Sequence, residues 1–226
     1  MSQQMALDTI IQLLSCLVVL LTAIPVHELA HGFVAYRLGD PTAKNAGRLT
    51  LNPFKHLDLF GTIALFVVHF GWAKPVPVNP FYFKNRKRGM ALVSLAGPVS
   101  NLLMSILFMV CYKISFYLYQ AAPSQGMMIV AVVLNYAVLI NILLAVFNLL
   151  PIPPNDGFKL LGLVLPEKVY FTILKYETYG MILFVILVFT GVLSGPLGFL
   201  QEAVFTGIDF VTLFVDQIMK TILGVL

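Results

Sequence analysis

Ile24-Pro25-Val26-His27-Glu28-Leu29-Ala30-His31-Gly32 lies near the end of an apolar stretch that covers residues 9–38, broken only by Pro25 and a charged group near its end. A stretch of that length reads as a membrane span, because about 20 apolar residues rising about 1.5 Å each cross a hydrocarbon core about 30 Å thick. Two imidazoles and a carboxylate inside such a span are costly in lipid, so their presence asks for a function. His27 and His31 stand four residues apart and project from one helix face, where both rings can grip one ion. In a metalloprotease that ion is zinc, a borderline Lewis acid suited to imidazole, and the glutamate beside the first histidine, here Glu28, is the general base toward a water. A chance match of so short a motif is the bland alternative, and the apolar setting weighs against it.

Outward from this segment the whole chain has the composition of a membrane protein. Of 226 residues, 59% are hydrophobic and 11% charged, with a mean hydropathy of +0.92, and no polar tract is long enough for a soluble domain. The expected fold is an all-α polytopic membrane protein forming one domain over residues 1–226. Residues 90–119 and 127–150 read as an antiparallel helix pair around the turn Ala122-Pro123-Ser124-Gln125-Gly126, and residues 171–193 as a further span. Residues 59–71 are apolar but reach only about 20 Å, too short to cross, and predict a short re-entrant helix. Proline in residues 48–53 and 74–83 confines any strands there to short, irregular or edge ones. After Ser194-Gly195-Pro196, Glu202, Asp209 and Asp216 recur every seven residues along one helix face, with Lys220 as a partner for Asp216. Residues 199–226 therefore either lie in the interface or span with that stripe toward a partner helix.

Lys44, Arg48, Lys55, Lys74 and the group Lys84, Arg86, Lys87 and Arg88 all fall between the first span and the next. Short loops rich in Lys and Arg face the cytoplasm, which places this connection inside, the N-terminus outside and the histidine pair toward the cytoplasmic side of a cell membrane. The same basic group explains much of the net charge of +4, so a nucleic-acid partner is not expected. Met1-Ser2-Gln3-Gln4-Met5 lacks a basic start, and the first helix is expected to be retained. Cys16 and Cys111 sit far apart within apolar runs and suggest neither a disulfide nor a thiolate metal site.

A hydrolytic zinc site uses three protein ligands and keeps a position for water, so the pair needs a partner from elsewhere. His56, Asp58 and His69 are candidates in the cytoplasmic connection. Asp156 is better placed, directly after a span in Asn148-Leu149-Leu150-Pro151-Ile152-Pro153-Pro154-Asn155-Asp156-Gly157, where prolines and glycine forbid regular helix. Irregular backbone near membrane depth is tolerated where it is buried or lines a wet cavity. The alternative role for Asp156 is an ordinary helix cap.

Three landmarks together resemble the site-2 protease family of intramembrane metalloproteases in a compact, bacterial-type form. They are His27 to His31 on one helix, Gly97-Pro98-Val99-Ser100-Asn101 on a second, and Asn148 to Gly157 at the end of a third; Gly71-Trp72-Ala73-Lys74-Pro75-Val76-Pro77-Val78-Asn79 is also similar. The resemblance implies a three-helix catalytic core within residues 9–165, with additional C-terminal helices over 171–226. It implies one zinc per chain on His27, His31 and Asp156, Glu28 as general base, and Asn148 near the scissile carbonyl of a membrane-embedded protein substrate. Asn148 could donate to an oxyanion or simply bond between helices, and Asn101 with Gly97 and Pro98 reads as helix packing. The chain departs from the family at Asn155, where many relatives carry an apolar residue or proline, and it shows neither a PDZ-like insertion nor a nucleotide-binding tail. Two rival readings use the same residues: a metal transporter or channel, which would more naturally show two related halves, and an inactive relative that binds membrane segments without cutting them.

Overall fold

The computed structural model describes residues 2–68 and 71–224. Among these residues the fold is helical with no sheet, and the one isolated bridge joins Leu57 to Ala73. The first apolar stretch forms two helices, α1 (Ser2–Leu21) and α2 (Ala23–Arg37), separated at Thr22. Pro25 causes the break. It has no N–H to donate to the Leu21 carbonyl four residues back, while the Thr22 hydroxyl turns to the Val18 carbonyl at 2.6 Å.

The connection after α2 is held by local caps. It carries α3 (Thr42–Asn45) and α4 (Leu59–Val68), the latter only about 15 Å long at ten residues. Two Asn-Pro-Phe tripeptides form matching 3₁₀ turns, with the amide oxygens of Asn52 and Asn79 accepting from Phe54 and Phe81 N–H at 3.1 Å. Proline suits the first position of such a turn, where its missing donor is no loss. The stretches expected as short strands thus hold capped turns and extended backbone that joins no sheet among the described residues, with Lys74 N–H donating to the His56 carbonyl at 2.8 Å.

The long helices follow. α5 (Arg86–Ala121) starts at Asn85, whose side chain accepts from Arg88 N–H, and α6 (Gln125–Asn148) starts at Ser124, which accepts from Met127 N–H. α7 (Asp156–Leu161) is short, and the expected span over residues 171–193 is divided into α8 (Glu167–Lys175) and α9 (Glu177–Phe189). α10 (Ser194–Val211) and α11 (Leu213–Leu223) end the described chain. Among the described residues, three segments are long and apolar enough to cross a membrane: Thr9–Arg37, Arg86–Ala121 and Gln125–Asn148. A fourth arises only if Thr178–Phe189 and Ser194–Val211, bent by 81°, count together.

α5 packs along α6 and against α2, while α1 and α10 cover α6. Val19, Ala23, Met109, Ala137, Val138 and Ile142 form the middle of this core. Its outside carries large apolar side chains as well. Ile10, Leu13, Leu17, Leu103 and Leu107 are exposed, whereas Ser15, Ser100, Ser105 and Asn141 are buried. That distribution suits a hydrocarbon solvent, in which small and polar side chains join helices and large apolar ones face lipid. At the C-terminal end, Asp209 and Asp216 do not rely on Lys220. Both reach Lys113 of α5, at 2.8 and 2.5 Å, and fasten α10 and α11 to the long helix.

Candidate metal centre

Each of the three landmarks supplies one wall of the site. On α2, His27, Glu28 and His31 occupy just over one turn. α5 meets this turn at Gly97, where an added Cβ would strike His31 Nε2 and lie 2.6 Å from His27 Nε2. Only glycine lets the two helices approach so closely. The third wall begins where α6 stops at Asn148. Asn155 donates its side-chain N–H to the Phe147 carbonyl at 2.8 Å, satisfying a helix-end acceptor that would otherwise be orphaned. Gly157 then passes against the Leu149 carbonyl, where no Cβ would fit. These two residues fold the proline-rich loop back so that α7 opens with Asp156 aimed at the histidines. The Asn155 departure is therefore a built feature of the loop.

Three ligand atoms converge. Asp156 Oδ2 stands 3.4 Å from His27 Nε2 and 3.1 Å from His31 Nε2, and the two nitrogens are 3.0 Å apart. Zinc bonds of about 2.0–2.1 Å in a tetrahedron imply ligand-to-ligand separations of about 3.3 Å, so the donor atoms fit that ion in chemistry and in spacing. His27, His31 and Asp156 form a group positioned to bind a metal ion.

The far sides of both rings are also held. His31 Nδ1 lies 2.7 Å from the Val93 carbonyl, which fixes its proton there and leaves Nε2 free to ligate. His27 Nδ1 lies 3.1 Å from the side-chain nitrogen of the fully buried Asn101, whose amide oxygen has no partner. Amide nitrogen and oxygen are sterically interchangeable. A half-turn of this amide gives the orphaned oxygen the Nδ1 proton of a metal-binding His27, so the pairing fits an imidazole that ligates through Nε2. Asn101, expected from the sequence to serve helix packing, thus also borders the site. The available signal was its spacing: four residues after Gly97, it shares the helix face that meets α2.

Burial pushes the Asp156 carboxyl up, but hydrogen bonds to His27 and His31, with the charges of His31 and Lys159, outweigh it and hold the group below the usual carboxylate range. Its second oxygen, Oδ1, accepts from Lys159 Nζ at 3.0 Å. Glu28 stands beside the ligand atoms with Oε2 accepting from Val76 N–H at 2.8 Å. The segment carrying Val76 is stitched across the site by side chains. Arg48 donates to the Lys74 and Pro75 carbonyls at 2.6 and 3.2 Å, and Asp40 accepts from Asn79 N–H at 2.6 Å.

A cavity of about 970 Å³ opens over this group, lined by His27, Glu28, Asp156, Trp72, Phe147 and Phe184 among others. Asn148 lines it as well, with its side-chain nitrogen donating to the Leu144 carbonyl of its own helix at 2.9 Å. The other ligand candidates are engaged elsewhere. His56 is fully buried with Nε2 2.8 Å from the Thr50 carbonyl, and Asp58 caps α4 by accepting from Gly61 N–H. His69 lies outside the described residues.

A helix bearing His-Glu-x-x-His, an aspartate gathered to the two histidines as a third potential ligand, and helices of membrane length define a zinc metalloprotease of the membrane. The chain belongs to Peptidase family M50, whose profile matches residues 15–190. It is 42% identical over 188 residues to the "Putative zinc metalloprotease YwhC" of Bacillus subtilis, covering 80% of each chain. It is 29% identical over 181 residues to the "Putative zinc metalloprotease Rip2" of Mycobacterium tuberculosis, covering 77% of this chain and 66% of that one. Rip2 of Mycolicibacterium smegmatis is 27% identical over 179 residues. No solved structure matches the chain.

Proposed function

We propose that this protein is an intramembrane endopeptidase that hydrolyses peptide bonds of membrane-embedded protein substrates, with His27, His31 and Asp156 holding one zinc ion. The observation that carries the reading is the convergence of Asp156 Oδ2 on both Nε2 atoms from a loop more than a hundred residues away in sequence. Zinc in such a site supplies a Lewis acid that polarises a carbonyl and lowers the pKa of water to about 7. Glu28 takes the proton of the attacking water and passes it to the departing amine, while the strap amide of Val76 holds its other oxygen still. Asn148 borders the space where the scissile carbonyl sits. A helical substrate must unwind there, because its carbonyls are otherwise engaged in its own backbone bonds. The whole chain acts as one membrane-embedded domain with its site toward the cytoplasm, and α4 dips into the bilayer from that side without crossing.

Glu28→Gln tests the reading in proteoliposomes containing a membrane-anchored substrate. The expected result is loss of cleavage with one zinc per chain retained. Cleavage at the wild-type rate in this variant would remove Glu28 from the mechanism, and metal movement across the bilayer without cleavage would favour a transporter.

A further inference from the structure

The two oxygens of Asp156 have different surroundings. Oδ2 faces the histidine nitrogens at 3.1 and 3.4 Å, whereas Oδ1 faces an ammonium, that of Lys159 at 3.0 Å. A carboxylate can bind a metal through one oxygen or both, and the choice matters at a hydrolytic centre. Three protein ligands must leave one position for water, and a second oxygen from Asp156 would crowd it. The carboxyl has a loop on one side and the ligand atoms on the other, so an interaction is needed to decide which way its second oxygen turns.

We propose that Lys159 is a positioning residue that restrains Asp156 to a single ligating oxygen and so keeps the fourth metal position open. The inference rests on the metal site proposed above. Lys159 follows Asp156 by three residues on α7 and so shares its face of the helix. Its side chain lines the cavity and is 40% exposed, so removing its charge leaves the core packing untouched. The short helix that it occupies is aimed by Gly157 and Asn155, which means that the lysine acts on the carboxylate's orientation and not on the loop's path. Its positive charge also draws electron density from the ligating carboxylate, leaving the bound cation a stronger Lewis acid.

The test uses the full chain in detergent micelles with cobalt in place of zinc, in wild type, Lys159→Met and Lys159→Arg. Cobalt reports coordination number through its visible absorption, which weakens as the shell expands from four to five. Wild type is expected to bind one cobalt with the strong four-coordinate spectrum. Lys159→Met is expected to bind one cobalt with visible absorbance reduced about two-fold or more and with kcat reduced about 10–100-fold, the range for losing a group that orients a metal ligand. Lys159→Arg restores both, because a guanidinium can hold the same oxygen. An unchanged cobalt spectrum in Lys159→Met overturns the proposal while leaving the metal site intact, and so does a change confined to KM, which would make the lysine a substrate contact. Failure of wild type to bind cobalt or zinc defeats the site itself.

Discussion

Two residues that offer no metal ligand, Asn101 and Gly97, shape the surroundings of the imidazoles. Asn101 supports His27 from a fully buried position, and partners of this kind commonly change metal affinity by about 10–100-fold when removed. Asn101→Ala is expected to weaken zinc by that factor in a competition titration with a chelating dye, whereas Asn101→Asp keeps an acceptor for Nδ1 and most of the affinity. Gly97→Ala places a methyl group onto both rings, so the purified variant is expected to carry less than about a tenth of wild-type zinc by elemental analysis. The histidines and Asp156 are legible as candidates because charge and imidazole stand out against apolar sequence. Asn101 and Lys159 are not, because an asparagine in an apolar helix and a lysine just beyond a span have many ordinary uses. Only the packing of α5 on α2 and the aim of α7 distinguish these two.

At the scale of elements, the lengths of apolar runs predict α5 and α6 to within a few residues, since a continuous helix satisfies its backbone groups within one segment in lipid. The division at Thr22 escapes that logic because hydropathy does not register a missing donor, and the division between α8 and α9 leaves no mark in hydropathy either. Pro25 is visible in the sequence, yet whether it bends a helix or breaks it depends on what packs beside it. The acidic heptad in α10 and α11 has a plain meaning once Lys113 is seen between Asp209 and Asp216. The lysine head is buried at 7% exposure, while Asp209 is about half exposed. Removing one partner of a fully buried pair costs roughly 3–5 kcal/mol, and the solvent reaching Asp209 should place Lys113→Met at or below the lower end. The expected signs are a lower melting temperature in detergent and faster protease cleavage within residues 194–223. The triple change Lys113→Met, Asp209→Asn, Asp216→Asn recovers much of the loss, since no charge is then left unpaired.

For the molecule as a whole, the distribution of lysine and arginine predicts which face meets the cytoplasm. With Cys16 and Cys111 replaced, Lys84→Cys is expected to react with a membrane-impermeant maleimide only in inside-out vesicles, and Gln125→Cys only in intact cells stripped of their outer layers. Both positions are exposed, so a reversed pattern would mean a reversed orientation and a site facing outward. The order of the three landmarks along the chain is enough to anticipate that they meet, but not how α10 and α11 lie, because a striped helix of that length satisfies two solvents equally well. The apolar exterior described for α1 and α5 has a practical consequence for handling the protein. An amphiphile has to stand in for the missing bilayer as a constituent of the particle, so stripping it away in buffer should drive molecules to coat one another, and any lost activity would report clumping before it reported chemistry.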